Sequence, residues 1–217
     1  MSEKNEYLTI AGDAVIETQI KKSRFLTHFK RIKNEEEAKE FINQIKKEHW
    51  KANHNCSAFI LGKNMEIQRS SDDGEPSGTA GVPMLEVLKK NQLIDVLVIV
   101  TRYFGGIKLG AGGLIRAYSG SVSNAIEEIG ILRGVLQQEI EITISYPNLG
   151  KVQNFLEENP QYTLGEIFYQ DQVKALIFVE QTGLEELERI LTNLLNGNVK
   201  ITKKDIKRTE IPYKKCD

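Results

Sequence analysis

The chain has 217 residues, of which 40% are hydrophobic and 27% charged, and a formal net charge of −1. That length allows one large domain or two small ones, and the near-zero charge excludes a global field that would draw the whole molecule to nucleic acid or to a membrane. Two distant cysteines, Cys56 and Cys216, form neither a disulfide framework nor a zinc pattern, and the polar start with no apolar run of roughly 18 residues excludes a signal peptide and a membrane span, so a cytoplasmic protein without a membrane partner is expected.

Residues 5–18 and 22–31 read as strands or one long broken hairpin. "NEEEAKEFINQIKKEH" reads as a helix: Asn34 caps it, acids fill its first turn and lysines sit near its end, all matching the helix dipole. Residues 54–61 and 65–69 read as short strands, and residues 82–90 as a short helix with Pro83 in its first turn. One of Ser77 and Thr79 is expected to cap that helix. "LIDVLVIV" is an unbroken apolar run, which predicts a strand buried on both faces. Leu114, Tyr118, Val122, Ala125 and Ile129 recur at helical spacing and predict a long helix over residues 111–129.

The character of the chain changes near residues 133–134. "QQEIEITISY" alternates, with Ile140, Ile142 and Ile144 on one side, and predicts a strand. Pro147 opens a helix whose apolar stripe is Val152, Phe155 and Leu156. "YTLGEIFYQ" and "QVKALIFVE" predict two strands joined by a turn around Asp171. "GLEELERILTNLL" predicts an amphipathic helix with Gly197 at its C-cap, and "NVKITKKD" a last strand. The order βαββαβ is the ferredoxin-like arrangement. The expected fold class is therefore α+β in two domains, residues 1–135 and 136–217.

Two glycine-rich loops stand out. "SDDGEPSGTAGVP" carries Asp72, Asp73, Gly74 and Glu75; "TRYFGGIKLGAGGLIRAYSG" carries Arg102, Tyr103, Phe104, Gly105, Gly106, Lys108, Gly110, Gly112, Gly113 and Arg116. In the second, a buried strand leads through glycine turns into a helix N-terminus. That combination binds anions, because the first helical amides lack internal partners and point outward at the positive end of the dipole. Lys108, Arg116 and Arg102 could add charge; alternatively the glycines only permit positive φ in a crowded corner. The loop is not a P-loop, since it ends Gly-Gly-Leu, and it lacks the G-x-G-x-x-G spacing. The acids of the first loop could hold a hard cation, pair with Arg102, Lys108 or Arg116, or meet a partner; pairing or solvation is the favoured reading. Tyr103 and Phe104 could stack on bases, but packing into the core beneath the loop is favoured. His49, His54 and Cys56 do not have the spacing of a structural zinc site; Cys56 reads as a small core residue, and His54 as a possible site residue. The tail from Val199 holds seven Lys/Arg against three Asp/Glu, read as a solvated face. No metal and no cofactor are expected.

"SDDGEPSGTAGVPMLEVL" followed by "VIVTRYFGGIKLGAGGLIRAYS" closely resembles the signature of the IMPACT family, over roughly residues 18–128, and the C-terminal half resembles the small domain of the family's bacterial branch. The resemblance implies a first domain of the type shared by a small-subunit ribosomal protein domain, elongation factor G domain IV and GHMP kinases. It implies a second domain like the ferredoxin-like domain V of elongation factor G. Members are linked to control of translation. Eukaryotic members carry a preceding RWD domain through which they compete in the pathway of an amino-acid-sensing initiation-factor kinase; no such domain is expected here, where the first strand is read from about residue 5. The resemblance maps the signature onto Asp72, Asp73, Gly74, Glu75, Pro76, Arg102, Tyr103, Phe104, Gly105, Gly106, Lys108, Gly110, Gly113 and Arg116.

The leading expectation is a non-enzymatic, translation-associated protein binding RNA or a ribosome-associated component through the basic loop. No nucleophile with an activating base is visible. The alternatives are an enzyme or binding protein for a small phosphorylated ligand or nucleotide, and an interaction module that uses the acidic loop as an epitope.

Overall fold

The computed structural model describes residues 6–213. In chain order its elements are β1 (Tyr7–Ile10), β2 (Ala14–Ile20), β3 (Ser23–Arg31), α1 (Glu35–Glu48), β4 (His54–Leu61), β5 (Ile67–Ser71), α2 (Gly81–Lys90), β6 (Val96–Tyr103), α3 (Ala111–Ile129), β7 (Ile131–Ile144), α4 (Tyr146–Glu158), β8 (Thr163–Tyr169), β9 (Val173–Glu180), α5 (Leu184–Leu194) and β10 (Lys200–Tyr213). The chain divides into two compact units, Tyr7–Arg133 and Gly134–Ile211. Among the described residues no helix is long and apolar enough to cross a membrane.

The first unit is built around β6. Its sheet runs β2-β3-β6-β4-β5, with every neighbouring pair antiparallel. The unbroken apolar run of β6 is explained by helices on both faces. Val96, Val98 and Val100 pack with Met84 and Leu88 of α2 and with Leu114, Tyr118 and Val122 of α3. Leu97 and Ile99 face the other way, into a cluster with Ala38 and Ile45 of α1. The cap of α1 is as its sequence predicts: Asn34 Oδ1 accepts the Glu37 N–H at 2.8 Å, and Glu37 in turn accepts the Lys33 N–H at 2.9 Å.

The second unit has the βαββαβ order. Its sheet runs β7-β9-β8, with β10 beside β7, and Ile140, Ile142 and Ile144 pack with Val152 and Leu156 of α4 and Leu187 and Leu191 of α5. At the end of α5 the left-handed residue is Asn196, φ +51°, followed by Gly197, φ +79°. Gly197 N–H donates to Thr192 O at 2.8 Å and Asn196 N–H to Asn193 O at 3.1 Å, a Schellman closure. Gly197 thus lies one residue beyond the expected left-handed position.

Candidate functional site

The acidic loop turns inward. Asp72 Oδ1 accepts the N–H groups of Ala80 at 3.0 Å and Gly81 at 2.8 Å, and its Oδ2 accepts that of Gly78 at 2.8 Å. The amides of Ala80 and Gly81 open α2, and that of Gly78 lies in the turn leading to it, so Asp72 caps that helix. Neither Ser77 nor Thr79 caps it, contrary to expectation: the position before the helix is Ala80, with no side-chain cap, and the Thr79 hydroxyl donates instead to Pro76 O at 2.6 Å. Burial works against ionisation of Asp72, but the N–H donors of Gly78, Gly81 and Ala80 outweigh it and hold the carboxyl below its ordinary value. Asp73 bonds to Lys46 Nζ at 2.5 Å and to the Asn55 N–H at 2.7 Å, and its carbonyl accepts from His54 Nδ1 at 2.9 Å.

Glu75 goes deepest. Its Oε1 accepts from Arg102 Nη1 at 2.6 Å and from the Tyr118 hydroxyl at 2.8 Å, while His54 Nε2 stands 3.9 Å from its Oε2. The sheet register makes this meeting possible, since Arg102 lies between Phe25 on β3 and His54 on β4. Arg102 is only 5% exposed, and its guanidinium lies 5.5 Å from the ring centres of both Phe25 and Phe104. Pairing with a basic residue, one of the alternatives open to the acidic loop, is made between Glu75 and Arg102. Beneath this knot the Cys56 thiol donates to Asp72 O at 3.0 Å. Burial, and the nearby carboxylates against a bond to Tyr118, pushes its pKa up to about 12, so it is an inert core thiol. Burial and the neighbouring Cys56 and Glu75 likewise push the Tyr118 phenol well above its ordinary value. Among the described residues no group of three or more His, Cys, Asp or Glu is arranged to hold a metal ion.

The basic loop turns outward. It leaves β6 through Gly105, whose place no other residue could take unaltered: a Cβ there would lie 2.0 Å from Lys22 O. Gly105 N–H also donates to Ser23 Oγ at 3.2 Å, which fixes the loop beside the Lys21–Lys22 hairpin turn, both of whose residues have positive φ. Gly110 precedes α3 with φ +70°, and α3 has neither a side-chain cap nor an acid in its first turn. Lys108 and Arg116 are exposed, and the Arg116 guanidinium folds back toward that turn, so that a Cβ on Gly112 would be 3.6 Å from its Nη1. Phe104 is 44% exposed rather than packed beneath the loop. The reason is its backbone: its N–H is bound to Asn53 Oδ1 at 2.8 Å, which holds the residue on the rim. Tyr103 is half-buried, with its hydroxyl 2.9 Å from His49 Nδ1.

The structure thus joins Arg102, His54 and Glu75, sets Lys108, Gly110, Gly112, Gly113 and Arg116 on an open rim, and spends the carboxylates of Asp72 and Asp73 on the α2 amides, Lys46 and the Asn55 N–H. Tyr118 and Asn53 are partners of the site that sequence reasoning missed. Tyr118 was legible only as one position of an apolar stripe, and Asn53 carried no signal. In the second unit three described lysines of the basic tail are paired: Lys203 with Glu188 at 3.3 Å, Lys204 with Glu141 at 3.4 Å, and Lys207 with Glu139. Cys216 and Asp217 lie outside the described residues.

Residues 21–126 match the model of the Impact N-terminal domain, and residues 142–198 that of a domain of unknown function, DUF1949. IMPACT family member YvyE of Bacillus subtilis is 49% identical over 209 residues, covering 96% of this chain and 94% of its own length. An IMPACT family member of Haemophilus influenzae is 36% identical over 198 residues, 90% of this chain and 96% of its own. A solved structure of a hypothetical protein is similar at a TM-score of 0.57 with 30% identity, over 91% of this chain and 96% of that one.

Proposed function

The chain belongs to the IMPACT family, and on that footing we propose that it is a translation-associated regulator that binds RNA, free or in a ribosome-associated component, through the basic glycine-rich rim of its first unit. The link to translation rests on the family resemblance. The contact surface rests on one observation: every acid of the acidic loop has a partner inside the protein, while Lys108 and Arg116 stand exposed beside the uncapped first turn of α3. Negative charge that would repel a polyanion is drawn inward, and positive charge is left outward.

In this reading Lys108, Arg116 and the amides of Gly112 and Gly113 meet phosphate. Arg102, already bound to Glu75, holds the loop in place, and Gly105 and Gly106 shape it. Filter binding of labelled RNA and of ribosomes across a salt series tests the proposal. A phosphate-contact surface must weaken steeply as salt rises; no salt-dependent binding to either partner would overturn it. Stabilisation of the fold by inorganic phosphate or a nucleotide, with no RNA binding, would replace it with the small-ligand alternative.

A further inference from the structure

Trp50 is the single tryptophan of the chain and it is 73% exposed. So large an apolar ring left in water is a candidate contact residue, particularly where polar groups surround it. It follows His49, the C-cap of α1, and Lys51 Nζ lies 5.0 Å over its ring. Asn53 then ties this turn to the end of β6: its N–H donates to Arg102 O at 2.9 Å, and its Oδ1 accepts the Phe104 N–H. A second exposed aromatic, Phe104, therefore belongs to a loop bonded to the Trp50 turn. The Arg102 guanidinium backs its ring. The Lys21–Lys22 hairpin closes against Gly105 of the same loop.

The result is two exposed aromatic rings, each with a cation over it, among exposed Lys21, Lys22, Lys51 and Lys108. No ion pair of these four lysines with a carboxylate occurs among the described residues. Flat rings set among cations suit a ligand that is itself flat rings on a polyanionic backbone. Duplexes hide their base faces in the stack, whereas an unpaired strand offers them. We propose that Trp50 and Phe104 form a stacking platform for unpaired bases of a polynucleotide strand, with its phosphates along Lys21, Lys22, Lys51 and Lys108. This deepens the RNA-binding reading above and rests on it.

The lone tryptophan makes the test direct, because all indole emission comes from Trp50. The full chain is titrated with a single-stranded oligouridylate, its deoxy counterpart and a blunt RNA duplex. Emission is expected to fall with the single strands and to stay level with the duplex. Trp50→Ala, an exposed substitution, is expected to weaken single-strand binding about tenfold and to leave duplex binding within about twofold, with Trp50→Phe restoring part of the loss. Phe104→Ala, followed by the same emission, is expected to weaken it as well. Tighter binding of the RNA strand than of its deoxy counterpart identifies the strand as RNA, and the reverse order as DNA. Salt-dependent RNA binding with unchanged emission and equal affinity for Trp50→Ala would overturn the platform and leave the RNA-binding reading intact. No binding to any strand would remove both.

Discussion

The two glycine-rich loops of the first unit are alike in glycine content, and opposite in charge and orientation. The loop of residues 72–75 places its three carboxylates on the α2 amides, on Lys46 and the Asn55 N–H, and on Arg102 with Tyr118. The loop that follows β6 leaves Lys108, Arg116 and Phe104 facing water. The difference teaches that charge in a loop reports a ligand only when the fold leaves it unmatched. Read as a pair, the acidic loop is the frame and the basic loop the exposed surface, and each assignment can be broken by substitution.

The largest expected effect lies at the joint between the loops. Glu75→Ala strips Arg102 of its carboxylate and Tyr118 of its acceptor while both remain buried. Loss of one partner of a buried ion pair costs about 4 kcal/mol, expected as a drop in the first unit's resistance to urea. Glu75→Leu combined with Arg102→Met removes both charges and is expected to recover much of that loss. A single-variant loss below about 1 kcal/mol would show that the acidic loop is not the frame.

The second effect tests the same end of the sheet by pH. His28 is 3% exposed, with Nε2 3.3 Å from Thr101 Oγ1 and its ring 5.1 Å from that of His49. Burial, and then the positive field of His49, lowers its pKa to about 4 from 6.5. Between those values the unfolded chain binds more protons than the folded one, so stability rises with pH across that window. The stabilisation is complete above about pH 6.5 and is lost as the pH falls toward 4, by up to about 3 kcal/mol. His28→Gln is expected to flatten denaturation midpoints measured between pH 7 and 4.5; an unchanged slope would contradict this.

Smaller again is the cap. Asp72→Ala frees the amides of Ala80 and Gly81 at the start of α2 and that of Gly78 in the preceding turn, and is expected to cost about 2 kcal/mol. The folded carboxyl has the lower pKa, so the wild-type advantage is present above about pH 4 and is lost in more acid solution. Equal stability of variant and wild type at neutral pH would refute the capping role.

Most of the fold was legible because its signals are local. The apolar run of β6, the stripe from Leu114 to Ile129 and the alternation of Ile140, Ile142 and Ile144 each follow from the period of one element. The site was less legible because its bonds are not local. The cap of α2 comes from a carboxylate eight and nine residues before the amides it holds, whereas capping rules look to the nearest hydroxyls and so point to Ser77 and Thr79. The Arg102–Glu75–Tyr118 knot spans 27 and 43 residues of chain and needs the register of β3, β6 and β4 to assemble. Phe104 reads as core material until the Asn53 side chain is seen to hold its backbone on the rim.

The smallest expected change in stability carries the most about function. Lys108 and Arg116 are exposed, and the described residues show no carboxylate paired with either, so Lys108→Ala with Arg116→Ala is expected to leave stability within about 0.5 kcal/mol of wild type. The same double variant removes two proposed phosphate contacts. On a single strand each contact contributes about 0.7 to the slope of log affinity against log salt, so the slope is expected to flatten by about 1.4. That pairing is the reverse of the one expected for Glu75→Ala, which unfolds the frame and should lower binding only as far as it lowers the folded fraction. If the double variant kept the wild-type slope, the outward charge of the basic loop would be as idle toward nucleic acid as the inward charge of the acidic loop, and the distinction between frame and surface would fail.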